Sequence, residues 1–547
     1  MPGGLAMWLN GIRIAHIDQE RGRRLRLAYT GDAFEHYQLG VPLLSLKLPL
    51  TRQRYPNGVV HAFLDGLLPE GDARQAVARD FNVDKDDTYG LIRALGRDCA
   101  GALAIQPEDE PPPPSATTLT AEPLKDTEIA DLVANLRSAP LGVSDRVRIS
   151  LAGVQAKLLL TRMPDGAWGR PVDGTPSTHI LKPEIAGYPN TVENEAFCMR
   201  IAKHLGLPVA DVETTIVGGR KLIIVERYDR VIHPDASVQR LHQEDFCQAT
   251  GVPPDKKYQE DGGPALVRIA ETLQSVATAD SVDLLLAAVT LNVLIGNGDA
   301  HAKNFSLLHG PSGALRLAPL YDLMSTLYYG DDRLAMYIDT VQRTRRVTAN
   351  RLLNEAAHWG LSKRRASEIV ADILDRAGNA VASALAETPE LPAEIPAIVE
   401  VQLAQVRSAF DPVAKPLTWP DLPVTSPDPI RRPTVRWAPA RESLGNPDAP
   451  SRQGRASCDY DAYGPDLLTG RHFTLDGDVA ANVTDAETAV ARLNAQASAL
   501  ADTEALARLL LRAESAASSR IEGLEIGARR LLRAEPARER RTGQGTG

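Results

Sequence analysis

The stretch DLLLAAVTLNVLIGNGDAHAKNFSLL, residues 283–308, decides how the rest of the sequence is arranged. Its first half is an apolar run of about a dozen residues, which predicts a buried helix and falls short of the roughly 20 residues needed to cross a bilayer. Asn297 and Gly298 then signal a turn, and Asp299 after them could simply cap the next segment. The polar side chains crowded behind the turn are Asp299, His301, Lys303 and Asn304. Such an island behind a buried helix is the first candidate for a functional site.

The spacing within this island favours phosphoryl transfer. Asn304 stands five residues after Asp299, as in the catalytic loop of kinases, and Asp322 follows a further apolar segment that predicts a short strand. Phosphoryl transfer with two magnesium ions needs one carboxylate near the acceptor hydroxyl, a carboxamide oxygen, and a second carboxylate beside the phosphates. Mg²⁺ prefers such hard oxygen ligands and keeps several waters, so an aspartate and an asparagine suffice. His301 and Lys303 are then candidate neighbours of phosphate or ribose, although a solvated loop face explains them equally well.

A kinase site also needs charges upstream, namely a strand lysine for the α- and β-phosphates and a helix carboxylate to hold that lysine. Lys182 ends a predicted apolar strand, and Glu195 lies on a predicted amphipathic helix. Taken alone, Lys182 would more often be a strand-end surface residue. The segment 149–160 could cover the phosphates, because Gly153 permits close backbone approach and Lys157 adds charge. This segment has no GxGxxG pattern, so by itself it is a weak signal.

The bulk composition excludes several classes of protein. With 547 residues, 43% hydrophobic and 24% charged, the chain predicts roughly three or four globular domains. The net charge of −9 argues against a non-specific nucleic-acid binder, because neutralising phosphates needs a basic surface. The four cysteines form no CxxC pair, which favours buried free thiols in a reducing cytoplasm. No secretion signal or membrane span is recognisable, so we expect a cytoplasmic protein that does not enter a membrane.

Shifts in composition divide the chain, and runs of proline mark two of the boundaries because they stiffen the backbone and remove hydrogen-bond donors. Strands precede helices in the central part, which predicts a two-lobed α+β body. The predicted segments are a small α+β module at 1–107, a proline-rich linker at 108–139, the α+β body at 140–410, a second proline-rich linker at 411–455, an all-α region at 456–535 and a disordered tail at 536–547.

Ten short motifs occur in order along the chain, namely LLPEGDAR, GRDCAGAL, SLAGVQAK, THILKPE, ENEAFC, VERYDR, HQEDFCQATG, KYQEDGGP, NGDAHAKNFSLL and LAPLYDL. Together they resemble the HipA-like serine/threonine kinase toxins of bacterial type II toxin–antitoxin modules, over roughly residues 5–410. The resemblance implies a two-lobed protein-kinase-like fold with a small N-terminal subdomain. It also implies ATP and Mg²⁺ as cofactors.

The resemblance implies a role for each matching residue. Asp299 would be the catalytic aspartate, and Asn304 and Asp322 the magnesium ligands. Ser150 matches the loop serine that family members autophosphorylate to switch themselves off, whereas without the family it would be an ordinary strand-end hydroxyl. The residues expected to bind ATP are Ala152, Gly153, Val154, Gln155, Lys157, Lys182, Glu226, Tyr228, Asp229, Gln243, His301 and Tyr321, with Glu195 and Lys303 in support.

The resemblance also implies substrates and partners. Known substrates of the family are aminoacyl-tRNA synthetases, so arrest of translation is the expected outcome. The family pairs with a helix-turn-helix antitoxin that binds operator DNA, and we expect the module containing LLPEG to take part in that interface. Two alternatives stay open: a non-catalytic pseudokinase that acts as an antitoxin-binding co-repressor, and a small-molecule phosphotransferase. The segments SLAGVQAK and HQEDFCQ favour the protein kinase over the latter.

The last hundred or so residues depart from the HipA pattern. The segment LLLRAESAASSRIEGLE resembles the N-terminal helical region of Fic-type nucleotidyltransferases, whose inhibitory motif would be Ser518, Glu522 and Gly523 here. The Fic catalytic signature HPFxxGNGR does not occur in the sequence, so we expect no AMP transfer by this chain. A regulatory appendage and a fusion or frameshift remnant are both open, and without the resemblance a generic helical bundle would be favoured.

Overall fold

The computed structural model describes residues 3–408 except 114–116, 119–120, 137–138, 145, 173, 234–236 and 311–313. Beyond residue 408 it describes the antiparallel strands Ala438–Ala440 and Tyr460–Ala462. The chain divides into two compact units, 1–426 and 427–547. Apart from these two strands, which fall in the predicted second linker and at the start of the predicted all-α region, the predictions for residues 411–547, including Ser518, Glu522 and Gly523, lie outside the described residues.

The first module is an antiparallel sheet with helices against it. Its elements are β1 (Leu5–Leu9), β2 (Ile12–Glu20), β3 (Arg24–Tyr29), α1 (Gly31–His36), α2 (Asn57–Leu67), α3 (Gly71–Asp80), α4 (Thr88–Leu95) and β4 (Leu103–Pro107). Asn10 and Gly11 join β1 to β2, and both have positive φ, as a two-residue type I′ hairpin turn requires. Exposed and buried residues alternate along β3, so one face of the sheet covers the core. The strand order is β3-β2-β1-β4.

A second antiparallel sheet forms the smaller lobe of the α+β body. Its elements and their neighbours are β5 (Thr117–Thr118), β6 (Glu122–Pro123), α5 (Asp126–Ala134), β7 (Leu158–Arg162), β8 (Trp168–Arg170), β9 (His179–Pro183), α6 (Thr191–His204), β10 (Val212–Val217), β11 (Arg220–Glu226), β12 (Arg230–Ile232) and β13 (Ser237–Arg240). The six-stranded sheet has the order β10-β11-β9-β7-β8-β6, and β12-β13-β5 form a smaller one. Helix α6 contacts β10 and β11.

The predicted linker 108–139 needs a correction, because its second half is structured. Strand β6 pairs with β8 at the edge of the six-stranded sheet. On α5, Ile129 and Val133 are buried in one apolar cluster with Leu158 of β7 and Leu222 of β11. The first module ends with β4 at Pro107, just before the prolines at 111–114. The apolar spacing after these prolines belongs to the lobe that follows.

The larger lobe is mainly helical. Its elements are β14 (His242–Asp245), α7 (Phe246–Thr250), α8 (Leu266–Val276), α9 (Asp280–Leu294), β15 (Ser306–His309), β16 (Leu315–Leu317), β17 (Arg333–Ile338), β18 (Val341–Arg343), α10 (Ala349–His358), α11 (Lys363–Ala386) and α12 (Glu394–Arg407). Residues 281–294 of α9 are all buried, which explains why its sequence is mainly apolar on every side. The strand predicted to end at Asp322 is wrong, because β16 ends at Leu317 and residues 318–322 contain only an isolated bridge at Leu320. None of the described helices has both the length and the hydrophobicity needed to span a membrane.

A closed group of charges, the Asp98 cluster, fixes the first module to the smaller lobe. Asp98 accepts hydrogen bonds from the backbone and hydroxyl of Ser177 at 2.9 and 2.7 Å and from Arg230 at 2.8 Å. Arg227 donates twice to Asp229, at 3.0 and 2.9 Å. The side chains of these four charged residues are 1–4% exposed. The members of the cluster are Asp98, Ser177, Arg227, Asp229, Arg230 and Arg240.

A buried carboxylate, Glu244 on β14, lies at another contact with the first module. One of its oxygens accepts a hydrogen bond from the backbone of Leu46 at 3.0 Å, and the other is buried with no described partner. Burial raises the pKa of Glu244 to about 7. Burial also lowers the pKa of the adjacent His242 to about 3 and that of His309 to about 4, so both imidazoles are neutral.

Candidate active site

One large cavity, of about 1740 Å³, brings most of the predicted residues together. The segment 151–157 and β9 bound it on one side, and the segment after α9 together with residues 321–322 bounds it on the other. Among the predicted residues that the structure describes, Ser150 and Glu195 alone are not on its wall. Residues drawn from a span of about 170 positions therefore share one site, which is the convergence that the sequence predicted.

Lys182 is the charged centre of the cavity. Its ammonium lies 2.7 Å from a carboxylate oxygen of Glu195 on α6 and 2.9 Å from Asp322. Burial alone would lower the pKa of Lys182, but the two carboxylates outweigh burial and raise it, so the lysine stays charged. The second oxygen of Glu195 is buried with no described hydrogen-bond partner. The strand lysine and helix glutamate expected of a kinase site are thus in contact.

Asp322 and Asn304 form an oxygen-rich pair beside this lysine. The carboxamide of Asn304 donates to Asp322 at 2.8 Å, and its oxygen accepts from the backbone of His301 at 3.1 Å. The side chain of Asp322 is 44% exposed, and Lys182 holds the pKa of its carboxyl well below the ordinary value. Asp322 also has a φ of 58°, a left-handed conformation that non-glycine residues adopt rarely and often at functional sites.

This donor set fits magnesium. In the described residues, no group of three or more His, Cys, Asp or Glu side chains forms a complete metal cage. Mg²⁺ does not require one, because it is commonly bound through one or two carboxylates, substrate phosphates and water. A carboxylate and a carboxamide that open together on a cavity supply hard oxygen ligands of that kind. Asn304 and Asp322 are therefore the residues that would hold the ion.

Asp299 projects from the turn after α9 into the same cavity. Its backbone N–H donates to the side chain of Asn297 at 3.1 Å, which shapes the turn. Gly298 is required there, because an added Cβ would lie 2.2 Å from the carbonyl oxygen of Arg333. Burial raises the pKa of Asp299. One carboxylate oxygen accepts a hydrogen bond from the hydroxyl of Tyr258 at 2.8 Å, a contact that the sequence did not predict.

An aromatic wall is formed by two of the residues expected to bind ATP. Tyr228 and Tyr321 stack with ring centroids 5.7 Å apart, and the Tyr228 hydroxyl donates to Gln243. Glu226, at the end of β11, is exposed. Asp229 differs from its expected role, because its carboxylate accepts hydrogen bonds from Arg227 and from the backbone of Gly101 at 2.7 Å. Although it lines the cavity, its charge is already compensated within the Asp98 cluster.

The segment 151–157 lies over the cavity, as expected of a phosphate-covering loop. Gly153 has a φ of 117°, which a larger residue rarely adopts. Lys157 donates to the backbone of Ala152 at 2.5 Å, and burial lowers its pKa to about 8. Ser150 precedes this loop and is fully buried, with its hydroxyl donating to the carbonyl oxygen of Leu67 at 2.7 Å and its N–H to that of Asp98 at 2.9 Å. The hydroxyl predicted to be phosphorylated therefore faces the first module.

The motif LLPEG brings a further residue to the site. Glu70 contacts Lys257 at 3.1 Å and Lys303 at 3.7 Å, and its backbone N–H donates to Gly153 at 3.2 Å. Lys303 is buried and also pairs with Asp245 at 2.8 Å, so it is held away from open solvent. That the module containing this motif takes part in the antitoxin interface stays a prediction, and the motif itself contacts the 151–157 loop through Glu70. Sequence reasoning missed Glu70, Lys257 and Tyr258, although the motifs that contain them were recognised.

His301 completes the catalytic segment. Its ring lies edge-on to Tyr258 with centroids 5.3 Å apart, and its Nδ1 is buried with no described partner. Burial lowers the pKa of His301 to about 3, so the ring is neutral. His301 lines the cavity, and its place beside phosphate or ribose stays a prediction.

The two-lobed fold, the Lys182–Glu195 pair and the segment 299–304 define a kinase-like protein. Three family models match the chain: the HipA N-terminal domain at residues 5–106, the HipA-like C-terminal domain at 149–381, and the Fic/DOC family N-terminal region at 480–544.

Named relatives agree with these matches. A Sinorhizobium fredii protein called "Putative kinase Y4mE" is 37% identical over 394 residues, covering 71% of this chain and 93% of the relative. The serine/threonine-protein kinase toxin HipA of Shewanella oneidensis is 36% identical over 335 residues, covering 57% and 74%. A solved complex of Shewanella oneidensis HipA, HipB and operator DNA contains a chain with a TM-score of 0.63 and 30% identity, covering 74% of this chain and 95% of that one.

The chain belongs to the HipA family. The family and fold that the ten motifs indicated are confirmed, as is the Fic-like character of the C-terminal segment.

Proposed function

We propose that this protein is a serine/threonine protein kinase that transfers the γ-phosphate of ATP to a protein hydroxyl. The observation that carries the proposal is Lys182 held between Glu195 and Asp322, with Asn304 beside Asp322 and Asp299 on the wall of the same cavity. A lysine fixed by two carboxylates next to hard oxygen ligands is suited to a polyphosphate bound with Mg²⁺.

In the proposed reaction each group has one task. Tyr228 and Tyr321 form the wall for the base, and Lys182 and the 151–157 loop hold the phosphates. The acceptor hydroxyl attacks the γ-phosphorus, a new O–P bond forms as the bond to the β-phosphate oxygen breaks, and Asp299 takes the hydroxyl proton. Magnesium, when bound, neutralises charge on the phosphate oxygens. Holding donor and acceptor in line in a water-poor site supplies most of the rate gain.

The test is Asp299→Asn. The substitution keeps the shape of the side chain but removes the proton acceptor, so we expect the rate of label transfer from radioactive ATP into proteins of a cell lysate to fall by about 10³-fold or more. Binding of Mg-ATP, followed by calorimetry, should change by less than about threefold, because Asp299 does not contact Lys182. Asp375→Asn, at an exposed position of α11, is the matched control and should transfer at the wild-type rate.

Transfer by Asp299→Asn at the wild-type rate would overturn the assignment of Asp299. A wild-type chain that binds Mg-ATP but transfers nothing would instead favour the non-catalytic co-repressor, and label found in a small molecule would favour the small-molecule phosphotransferase.

The proposal extends to the cellular role. The named relative is a kinase toxin, and a solved relative is bound to HipB and operator DNA. By that likeness, this protein is a toxin that is neutralised by a DNA-binding antitoxin. The family resemblance of the ten motifs adds that it acts in the cytoplasm, phosphorylates an aminoacyl-tRNA synthetase and arrests translation. Incubating it with labelled ATP and individual purified synthetases identifies the target. Growth arrest on expression, relieved by Asp299→Asn, tests the toxic role, and an active kinase that labels no synthetase would contradict the substrate assignment.

A further inference from the structure

The catalytic carboxylate has an orienting partner that lies far away in the sequence. The hydroxyl of Tyr258 donates to Asp299 Oδ1 at 2.8 Å, across 41 positions. Asp299 projects into a cavity from a glycine-containing turn, and rotation about the terminal bond of an aspartate is soft. A hydrogen bond to one oxygen removes that freedom and leaves the other oxygen to receive a proton. The contact therefore fixes the direction in which the carboxylate faces.

Tyr258 is itself held firmly. Its ring packs edge-on against His301, and its carbonyl accepts a hydrogen bond from Gly263 at 2.9 Å. The turn that makes this bond needs glycine, because a Cβ at Gly263 would lie 2.3 Å from the carbonyl oxygen of Lys256. The next residue, Gln259, accepts a hydrogen bond from the backbone of Tyr337 at 2.8 Å. The Tyr258 ring therefore belongs to a short segment that is held by hydrogen bonds to Gly263 and to Tyr337.

The same segment is tied to the first module of the chain. Lys257 donates to Glu70 at 3.1 Å, and its carbonyl accepts from Ala302 in the catalytic segment at 3.3 Å. Glu70 in turn is bonded to the phosphate-covering loop through Gly153. The segment that carries Tyr258 thus contacts the catalytic segment directly and the phosphate-covering loop through Glu70.

We propose that Tyr258 is a positioning residue for phosphotransfer, holding Asp299 in the orientation that receives the acceptor proton. The inference rests on the proposed kinase function. Because Tyr258 touches Asp299 and not Lys182 or Asp322, its loss impairs the chemical step and leaves nucleotide binding intact. A displacement of about 1 Å in a reacting group can cost on the order of 100-fold in rate, and the loss of one hydrogen bond lies within that range.

The experiment compares Tyr258→Phe with the wild type and with Tyr37→Phe. Tyr258→Phe removes one oxygen and keeps the ring. Tyr37→Phe removes a hydroxyl from a partly buried tyrosine just after α1, which does not line the cavity. Full-length proteins are assayed for label transfer from Mg-ATP into lysate proteins over a range of ATP concentrations, and their melting temperatures are measured.

We expect Tyr258→Phe to lower the maximal rate 10- to 100-fold with the half-saturating ATP concentration unchanged within about twofold. Its melting temperature should stay near that of the wild type, and Tyr37→Phe should match the wild type throughout. A maximal rate for Tyr258→Phe above half of the wild-type rate overturns the proposal. A raised half-saturating ATP concentration at an unchanged maximal rate, or a melting temperature that falls together with the rate, also overturns it. A wild-type chain that labels nothing refutes the kinase function itself, which separates the two failures.

Discussion

The Asp98 cluster and the group around Lys182 are both built from opposite charges in contact, yet they differ in what remains open. Asp98 is 1% exposed, and its two oxygens accept hydrogen bonds from Ser177 and Arg230. Asp322 has a similar ionic partner in Lys182, but its side chain faces a cavity and is nearly half exposed. The comparison teaches that ion pairing alone does not mark a site, whereas an ion pair with a free face does.

The pKa shifts of the two aspartates support this distinction. Burial by itself would raise the pKa of Asp98, but the guanidinium groups of Arg230, Arg227 and Arg240 outweigh it and hold the pKa well below the ordinary value. The pKa of Asp322 is lowered in the same direction, chiefly by the charge of Lys182. Both carboxylates are therefore ionised, and a low pKa does not tell a structural aspartate from a functional one. Replacing each by asparagine separates them.

Asp322→Asn should have the largest effect, and on activity. It removes a charged oxygen ligand and the partner of Lys182, so we expect the rate of label transfer from Mg-ATP to fall by roughly 10³-fold. The fold should tolerate the change, because asparagine adopts the left-handed conformation at this position readily. The transfer rate and the melting temperature are measured together. If Asp322→Asn destabilised the protein as much as Asp98→Asn does, the two aspartates would not differ in role.

Asp98→Asn should have the opposite profile. It leaves three arginines beside an uncharged group in a closed interior, which typically destabilises a protein by about 3–5 kcal/mol. Urea unfolding of the full chain measures this as a lower midpoint. The control is Asp84→Asn, which breaks the exposed contact of Asp84 with Arg23 and should leave the midpoint unchanged. Equal midpoints for Asp98→Asn and the wild type would show that the cluster does not hold the module in place.

Glu244→Gln extends the comparison to a buried carboxylate that has no charged partner. Its effect, a change in melting temperature, should be the smallest of the three. Because the folded-state pKa is raised to about 7 from 4.5, ionisation costs stability as the pH rises through this interval and in full above it. Glutamine avoids that cost, so we expect a melting temperature a few degrees above the wild type at pH 8 and little difference at pH 4.5. A gain of the same size at both pH values would contradict the assigned pKa.

The sequence predicted the elements whose periodicity is local. The helix before the catalytic turn, the strand that ends at Lys182 and the helix that carries Glu195 are all present. The alternating leucines at 43–50 by themselves favour a strand, but the segment is an irregular connection with one bridge between Ser45 and Leu48. Leu44 and Leu48 are buried in that connection without forming a strand, since burial alone does not require a sheet.

The part of the candidate site whose residues are close together in the sequence was predictable, and the part that is assembled from distant segments was not. Asp299 and Asn304 lie one short turn apart, so their proximity follows from the chain itself. Tyr258 and Glu70 reach the site by tertiary packing across 41 and more than 180 positions, and no periodicity records such distances. Lys303 shows the converse, because its position suggested a phosphate contact while its partners, Asp245 and Glu70, are set by the fold.

The attachment of the first module through Asp98 has a consequence for how genes of this kind can be rearranged. Recombination that joined residues 149–381 to a different N-terminal partner would remove Asp98 and leave Arg227, Arg230 and Arg240 with Asp229 as the one remaining carboxylate of the cluster. A viable chimera would have to supply an acidic residue at the same point in space. The two segments are thus expected to travel through genomes as one inherited block.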